Sequence, residues 1–187
     1  MKELAPKAGP LEFSVPLEVL IYPDPKLRAP NLPIENFDDD LATLASEMFK
    51  TMYRTVGVGL AAPQVGVNVQ LMVYNPEGDP NKGKEYVLVN PRIVKKSKDT
   101  DFEAEGCLSF PEIEGDVERS LTCKVEYRDL SGKRNTFILR GWQARIFQHE
   151  YDHLEKILFH DRMSPEVLET VQPQLTALEE AYNKNNS

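Results

Sequence analysis

The stretch Gln148-His149-Glu150-Tyr151-Asp152-His153 constrains this chain more than any other feature. Two histidines at i and i+4 face the same way on an α-helix, with Cβ atoms about 5–6 Å apart. A helix is therefore expected over about 141–156. From it the two rings can grip one metal ion, and Glu150 can reach a water on that ion without coordinating. An ion of this kind lowers the pKa of its water towards ~7, and a carboxylate then takes the proton. The chain has three histidines, and this motif uses two of them. His160, beyond the helix and after a Leu-Phe pair, is read as a non-ligand.

A catalytic ion needs a third protein ligand and one open position. Downstream of His153, the residues Glu155, His160, Glu166 and Glu169 have no convincing context for that role. Upstream, Glu105-Gly106-Cys107-Leu108-Ser109-Phe110-Pro111 sets a thiol among small and turn-forming residues. As a thiolate, Cys107 suits a soft ligand position; a small core residue is the other reading. Cys123 lies on the apolar side of the alternating stretch 121–127 and is expected as a buried thiol. Two cysteines do not make a disulfide scaffold.

At 187 residues the chain can bury a real core as one domain, expected over 1–187. Residues 1–16 read as an extended, proline-containing arm without signal-peptide character. Asp38–Asp40 favour a helix start, and Leu41, Leu44, Ala45, Met48, Phe49, Met52 and Tyr53 form one apolar face. A loop of small residues is expected from Gly57 to Gly66, then strands at 69–74 and 86–90. Residues 95–101 read as a charged connection, and 121–127 with 135–139 as a hairpin turning at Asp129-Leu130-Ser131-Gly132. Ser164-Pro165-Glu166 caps a last helix over 165–187, with a kink or break expected at Pro173. Helices and hairpins without regular strand–helix alternation imply an α+β fold.

The net charge of -8 argues against direct DNA binding or an anionic membrane surface as partner. No apolar run is long enough to span a bilayer.

Three segments together resemble peptide deformylases of the bacterial and plant-organelle type. They are Gly57-Val58-Gly59-Leu60-Ala61-Ala62-Pro63-Gln64, Glu105-Gly106-Cys107-Leu108-Ser109, and Gln148-His149-Glu150-Tyr151-Asp152-His153-Leu154. The resemblance covers roughly 17–163. It implies antiparallel strands packed around a central helix that carries the histidine motif, and removal of the N-formyl group from the initiator methionine of nascent chains, with release of formate. It also implies Cys107, His149 and His153 as metal ligands and Glu150 as catalytic acid/base, with the Gln64 side chain and the Leu108 N–H as oxyanion donors. Val58, Gly59, Gly106 and Ile146 would line the substrate site, and Glu105, Arg119 and Asp152 would support the ligands. The metal implied is Fe2+, with Zn2+, Ni2+ or Co2+ able to replace it. A bacterial-type cytoplasm is the implied compartment, with a plastid or mitochondrion as the alternative.

Two departures from the family pattern stand out. Glu114 occupies a place where many bacterial members carry Arg, three residues past the Pro of the cysteine motif. The C-terminal helix, basic in some members, here carries Glu166, Glu169, Glu179 and Glu180 against Lys184. Ribosome contact through a basic C-terminal helix is therefore not expected. The other readings are a zinc endopeptidase, which lacks its usual third ligand here, and a non-catalytic peptide-binding module, which would have no use for Glu150 and Gln64.

Overall fold

The computed structural model describes residues 7–186. The expected arm therefore lies partly outside the described residues; from residue 7 to Pro16 the chain has no helix or strand.

Helix α1 (Asp39–Arg54) starts where Asp38 accepts the Leu41 N–H, and its first turn carries Asp39 and Asp40. Its apolar face buries Leu41, Leu44, Ala45, Met48 and Met52. Each large side chain so buried contributes on the order of 1.5–3 kcal/mol. Strands β1 (Gly59–Ala61), β2 (Leu71–Tyr74), β3 (Tyr86–Lys96), β6 (Thr122–Arg128) and β7 (Arg134–Arg140) form an antiparallel sheet in the order β1-β2-β3-β6-β7. Strands β4 (Thr100–Cys107) and β5 (Phe110–Ser120) make a separate two-stranded hairpin.

Alternation along β2 shows how the layers stack. Leu71 and Val73 point to the side of α1, in one core with Leu44 and Met48. Met72 and Tyr74 point to the other, in a core with Ala144 and Phe147 of α2 (Gly141–Leu154). The sheet is thus covered on both faces, which is why all four residues of β2 are buried. The β4–β5 hairpin packs on the far side of α2 and shares a third core with α3 (Pro165–Asn185), built on Phe110, Val117, Phe159, Val171 and Leu175. Helix α2 is consequently enclosed, with Ala144–Gln148 all buried. The fold is α+β, with antiparallel strands around the central helix and a C-terminal helix, as expected from the sequence.

Three local expectations need correction. The segment 57–66 is not all loop: Gly59–Ala61 is the edge strand β1, and Ala62–Val65 is a 3₁₀ turn closed by Gly66 at φ 78°. Residues 95–101 are not one connection, because β3 runs on to Lys96 and β4 begins at Thr100. Lys95, Lys96, Lys98 and Asp99 stay in solvent and Asp101 pairs with Arg145, while the two strands are held by their backbone pairing. Finally, α3 is not broken at Pro173. Pro173 and Glu169, whose carbonyl loses its i+4 partner, lie on the exposed side, while Val171 and Leu175 keep the helix docked. No helix among the described residues is long and apolar enough to cross a membrane.

Candidate metal centre

Helix α2 supplies His149 and His153, and the end of β4 supplies Cys107. One donor atom from each lies within 4.8 Å of the others. Cys107 Sγ is 3.4 Å from His153 Nε2. Donors that share one ion at ordinary metal–sulfur and metal–nitrogen lengths sit about 3–4 Å apart. The three are therefore gathered closely enough to hold a single cation. Their chemistry, two imidazole nitrogens and a thiolate, suits iron or zinc.

The support beneath them is ionic and buried. Glu105, next but one to Cys107, accepts from His149 Nδ1 at 2.8 Å, which leaves Nε2 of that ring free for an ion. The same carboxylate accepts from Arg119 Nε and Nη2, each at 2.9 Å, and from Arg145 Nη1 at 2.8 Å. Arg119 reaches across to Asp152 at 2.5 Å, and Arg162 holds the other side of Asp152 at 2.7 Å. Burial alone would raise the Glu105 pKa, but hydrogen bonds from Arg119 and His149 hold it well below the usual carboxylate range. Removing one partner from such a network leaves an uncompensated buried charge, at a cost of about 3–5 kcal/mol.

Burial would keep the His149 ring neutral, yet Cys107 and Glu105 beside it push its pKa well above the ordinary value. The position favours positive charge, which a cation between the three donors would also supply. His153 is held well below its ordinary value, first by burial and then by His149.

Glu150 stands on the same helix with its Oε2 buried and without a hydrogen-bond partner. Burial pushes its pKa up to about 7, against the pull of His149. Gly59 explains how β1 comes so close, since a Cβ there would lie 2.6 Å from Glu150 Oε1. Gln64, 1% exposed, uses its two ends differently. Its Oε1 accepts the Ala61 N–H at 2.9 Å, while Nε2 donates to Ser109 Oγ at 3.2 Å and lies 3.6 Å from Cys107 Sγ. Leu108 sits in the two-residue turn between β4 and β5.

Gly59, Gln64, Glu105, Cys107, Leu108, Arg145, His149 and Glu150 border one cavity of about 520 Å³, lined also by Val58, Gly106 and Ile146, while His153 is buried next to Cys107. Apart from His153, every residue proposed for the site lies at the cavity or in the ionic frame behind it. His160 does not; its ring packs with Tyr22 and Phe110. Cys123 is fully buried in the sheet core.

Sequence reasoning missed Arg145, Arg162, Ser109 and Trp142. Arg145 could have been found, because it lies four residues before His149 and so on the same helical face. A buried arginine there needs carboxylates, and it finds Glu105, Asp101 and Glu103. Trp142 borders the cavity and donates its Nε1–H to the Pro76 carbonyl at 3.1 Å. Nothing local to residue 142 announces that contact.

Residues 16–169 match the family described as polypeptide deformylase. Peptide deformylase 1B, chloroplastic/mitochondrial, of Arabidopsis thaliana is 51% identical over 177 residues, covering 95% of this chain. The chain spans 65% of that relative's length. The peptide deformylase of Brucella suis is 44% identical over 148 residues, covering 78% of this chain and 83% of its own. A crystal structure of a plant peptide deformylase of the 1B type superposes with a TM-score of 0.92 at 52% identity, covering 93% of this chain and 95% of that one. The matched span includes the whole Cys107, His149 and His153 constellation, and this chain belongs to the polypeptide deformylase family.

Proposed function

We propose that this protein is a metal-dependent hydrolase that removes the N-formyl group from the initiator methionine of newly made polypeptides, releasing formate. The observation that carries the reading is the convergence of the Cys107, His149 and His153 donors, with Cys107, His149 and Glu150, whose Oε2 is unpartnered, bordering one cavity. The whole 187-residue chain is proposed to act as a single domain.

Cys107, His149 and His153 would hold the ion, with Fe2+ the proposed resident and Zn2+, Ni2+ or Co2+ as replacements. Bound there, the ion would polarise the formyl oxygen and acidify a water. Glu150 would take the proton from that water and pass it to the leaving amine. Its carboxyl, held by burial at about 7, suits both duties at neutral pH. Gln64 Nε2 and the Leu108 N–H would meet the negative charge developing on the formyl oxygen. Val58, Gly59, Gly106 and Ile146 would line the path of the methionine residue. Glu105, Arg119 and Asp152 would orient the ligands, and Arg145 and Arg162 join them in that role.

Relatives named for the chloroplast and mitochondrion favour an organelle as the compartment. A bacterial-type cytoplasm is the second reading, favoured by relatives such as that of Brucella suis. Any ribosome contact is proposed to avoid α3, whose Glu166, Glu169 and Glu180 face phosphate unfavourably.

The direct test measures formate released from formyl-Met-Ala-Ser by metal-loaded protein. Release from this peptide, with no cleavage of unformylated Met-Ala-Ser, is the expected result. Internal peptide-bond cleavage would instead support an endopeptidase, and binding without turnover a peptide-binding module.

Gln64 separates the deformylase reading further. Gln64→Leu is expected to lower kcat about 10²–10³-fold, with a smaller change in KM and an unchanged metal content. Because Gln64 Oε1 also holds the Ala61 N–H, some loss of thermal stability should accompany it. A variant with reduced stability but normal turnover per folded molecule would confine Gln64 to that backbone role.

A further inference from the structure

Helix α1 packs on β1 and β2, and beyond β3 its cover of the sheet ends. Strand alternation places Arg92, Lys95, Lys124, Arg128, Arg134 and Arg140 on that uncovered face, against Glu126 alone. We infer that this face of β3, β6 and β7 binds the phosphate backbone of duplex RNA. The inference rests on the layout of charge and is independent of the deformylase reading.

The register makes the concentration costly. Arg128 stands directly opposite Arg134, and Lys95 directly opposite Lys124. Like charges in opposed positions weaken a sheet. Within the chain only Glu126 offsets them, and it already pairs with Arg92 at 2.7 Å. That bond first, then the nearby Lys124 and Arg134, hold the Glu126 pKa below the usual carboxylate range. Three cations therefore share one carboxylate. Among the described residues no direct ion pair engages Lys95, Lys124, Arg128, Arg134 or Arg140. Arg128 donates to the Gly132 carbonyl at 2.9 Å and lies over the Phe37 ring, which leaves its charge unneutralised. In a chain with 22 basic and 30 acidic residues, this is segregation of charge. The net charge of -8 does not cancel it locally, because salt screens the remaining carboxylates beyond about 8–10 Å.

The shape of the face selects among polyanions. A groove of about 510 Å³ lies among Arg92, Arg128 and Arg134, with Asn135 and Thr136 also lining it. Guanidinium groups around a groove suit discrete phosphates, which they bind bidentately, better than a broad lipid surface. From Arg134 to Arg140 the face runs about 20 Å at ~3.4 Å per residue. That length of duplex carries about a dozen phosphates, of which the near side presents about half. Strand β6 is flanked on both sides, so no helix or free ribbon projects to enter the major groove of B-form DNA. A flat face instead meets the wide, shallow minor groove of A-form RNA, where the exposed Thr136 hydroxyl can bond a 2′-hydroxyl.

The test titrates the metal-loaded protein with an end-labelled RNA duplex of about 16 base pairs and follows fluorescence anisotropy. The expected dissociation constant is about 10⁻⁴–10⁻⁶ M at physiological salt, with a slope of about -3 to -4 in log affinity against log salt. R92E/K124E/R134E should weaken binding about 100-fold or more and flatten the slope. These side chains lie outside the buried cores, so its melting temperature should stay close to that of the unaltered protein. K50E/K82E/K184E makes the same change of charge elsewhere and should bind nearly as the unaltered protein does.

Unmeasurable binding at about 50 mM salt overturns the inference, as does an equal loss in both triple variants. DNA of the same sequence bound as tightly overturns the choice of RNA. Anionic phosphatidylglycerol vesicles bound in place of the duplex overturn it in favour of a membrane surface. Acetylation of the unaltered protein with and without RNA decides the location without any variant. Protection of Lys95 and Lys124, with Lys50 and Lys82 still reactive, upholds the inference; the opposite pattern overturns it.

Discussion

Cys107→Ala is expected to leave the protein unable to retain its metal through dialysis, and inactive as a consequence. The variant removes the only sulfur among the three gathered donors and, as a thiolate, the only one of them that brings its own negative charge. Two histidines on adjacent turns of α2 remain, but a pair of neutral nitrogens holds a divalent ion far less firmly than the full set. Activity and metal content should therefore fall together, to below about a hundredth of the starting activity at a metal concentration that saturates the unaltered protein. Elemental analysis of the purified variant checks this and identifies which metal the unaltered protein carries. A full metal complement in Cys107→Ala would remove Cys107 from the ligand set. The fold should survive the change, since Cys107 ends a strand whose pairing does not depend on its side chain. Circular dichroism on the same sample guards against mistaking unfolding for loss of a ligand.

Glu150→Gln is expected to do the reverse, keeping the metal while losing about 10³–10⁴-fold in kcat. The amide matches the carboxylate in shape but cannot accept the proton of a water or hand it on. General acid–base contributions are about 10²–10⁴-fold, and a residue that acts on both sides of the reaction belongs at the upper end. The variant should fold well. In the unaltered protein Glu150 is 5% exposed with one oxygen unpartnered, an arrangement that burial makes unfavourable for a charge. A neutral amide relieves that penalty, so the melting temperature should hold or rise. Turnover close to that of the unaltered protein in a metal-loaded Glu150→Gln would end the assignment of Glu150 as acid/base. The two variants together divide the site: one loses the ion, the other loses only the proton transfer.

Local periodicity makes several elements readable from the order of residues. The α2 helix follows from two histidines at i and i+4, α1 from seven apolar residues on one face, and the start of α3 from Ser164 and Pro165. The hairpin around Asp129–Gly132 follows from alternation and a turn. Each is a statement about neighbours within a dozen residues, where side-chain spacing determines which face is apolar. His149, Glu150 and His153 lie within that range.

What the linear pattern does not disclose has a different origin. Strands β4 and β5 carry Glu103, Glu105, Glu112, Glu114, Asp116 and Glu118, too acidic to read as strands. They form because Arg119 and Arg145 neutralise the inner carboxylates while the outer ones stay in solvent. Helix α3 passes Pro173 because Val171 and Leu175 find a core on the β4–β5 hairpin, burial that outweighs one lost hydrogen bond. Cys107 stands 42 residues before His149, and Gln64 stands 85 before it, as read from the numbering. Along the sequence, only resemblance to a family joins them. Physically, Arg119 and Glu105 draw the end of β4 onto α2, and β1 comes to rest against Glu150 where Gly59 leaves room. The sequence by itself determined the helix that carries His149, Glu150 and His153, since those depend on spacing along one element. The position of Cys107 beside the histidines and the reach of Gln64 were decided by tertiary packing, because contacts between distant segments are set by which surfaces bury together rather than by any local period.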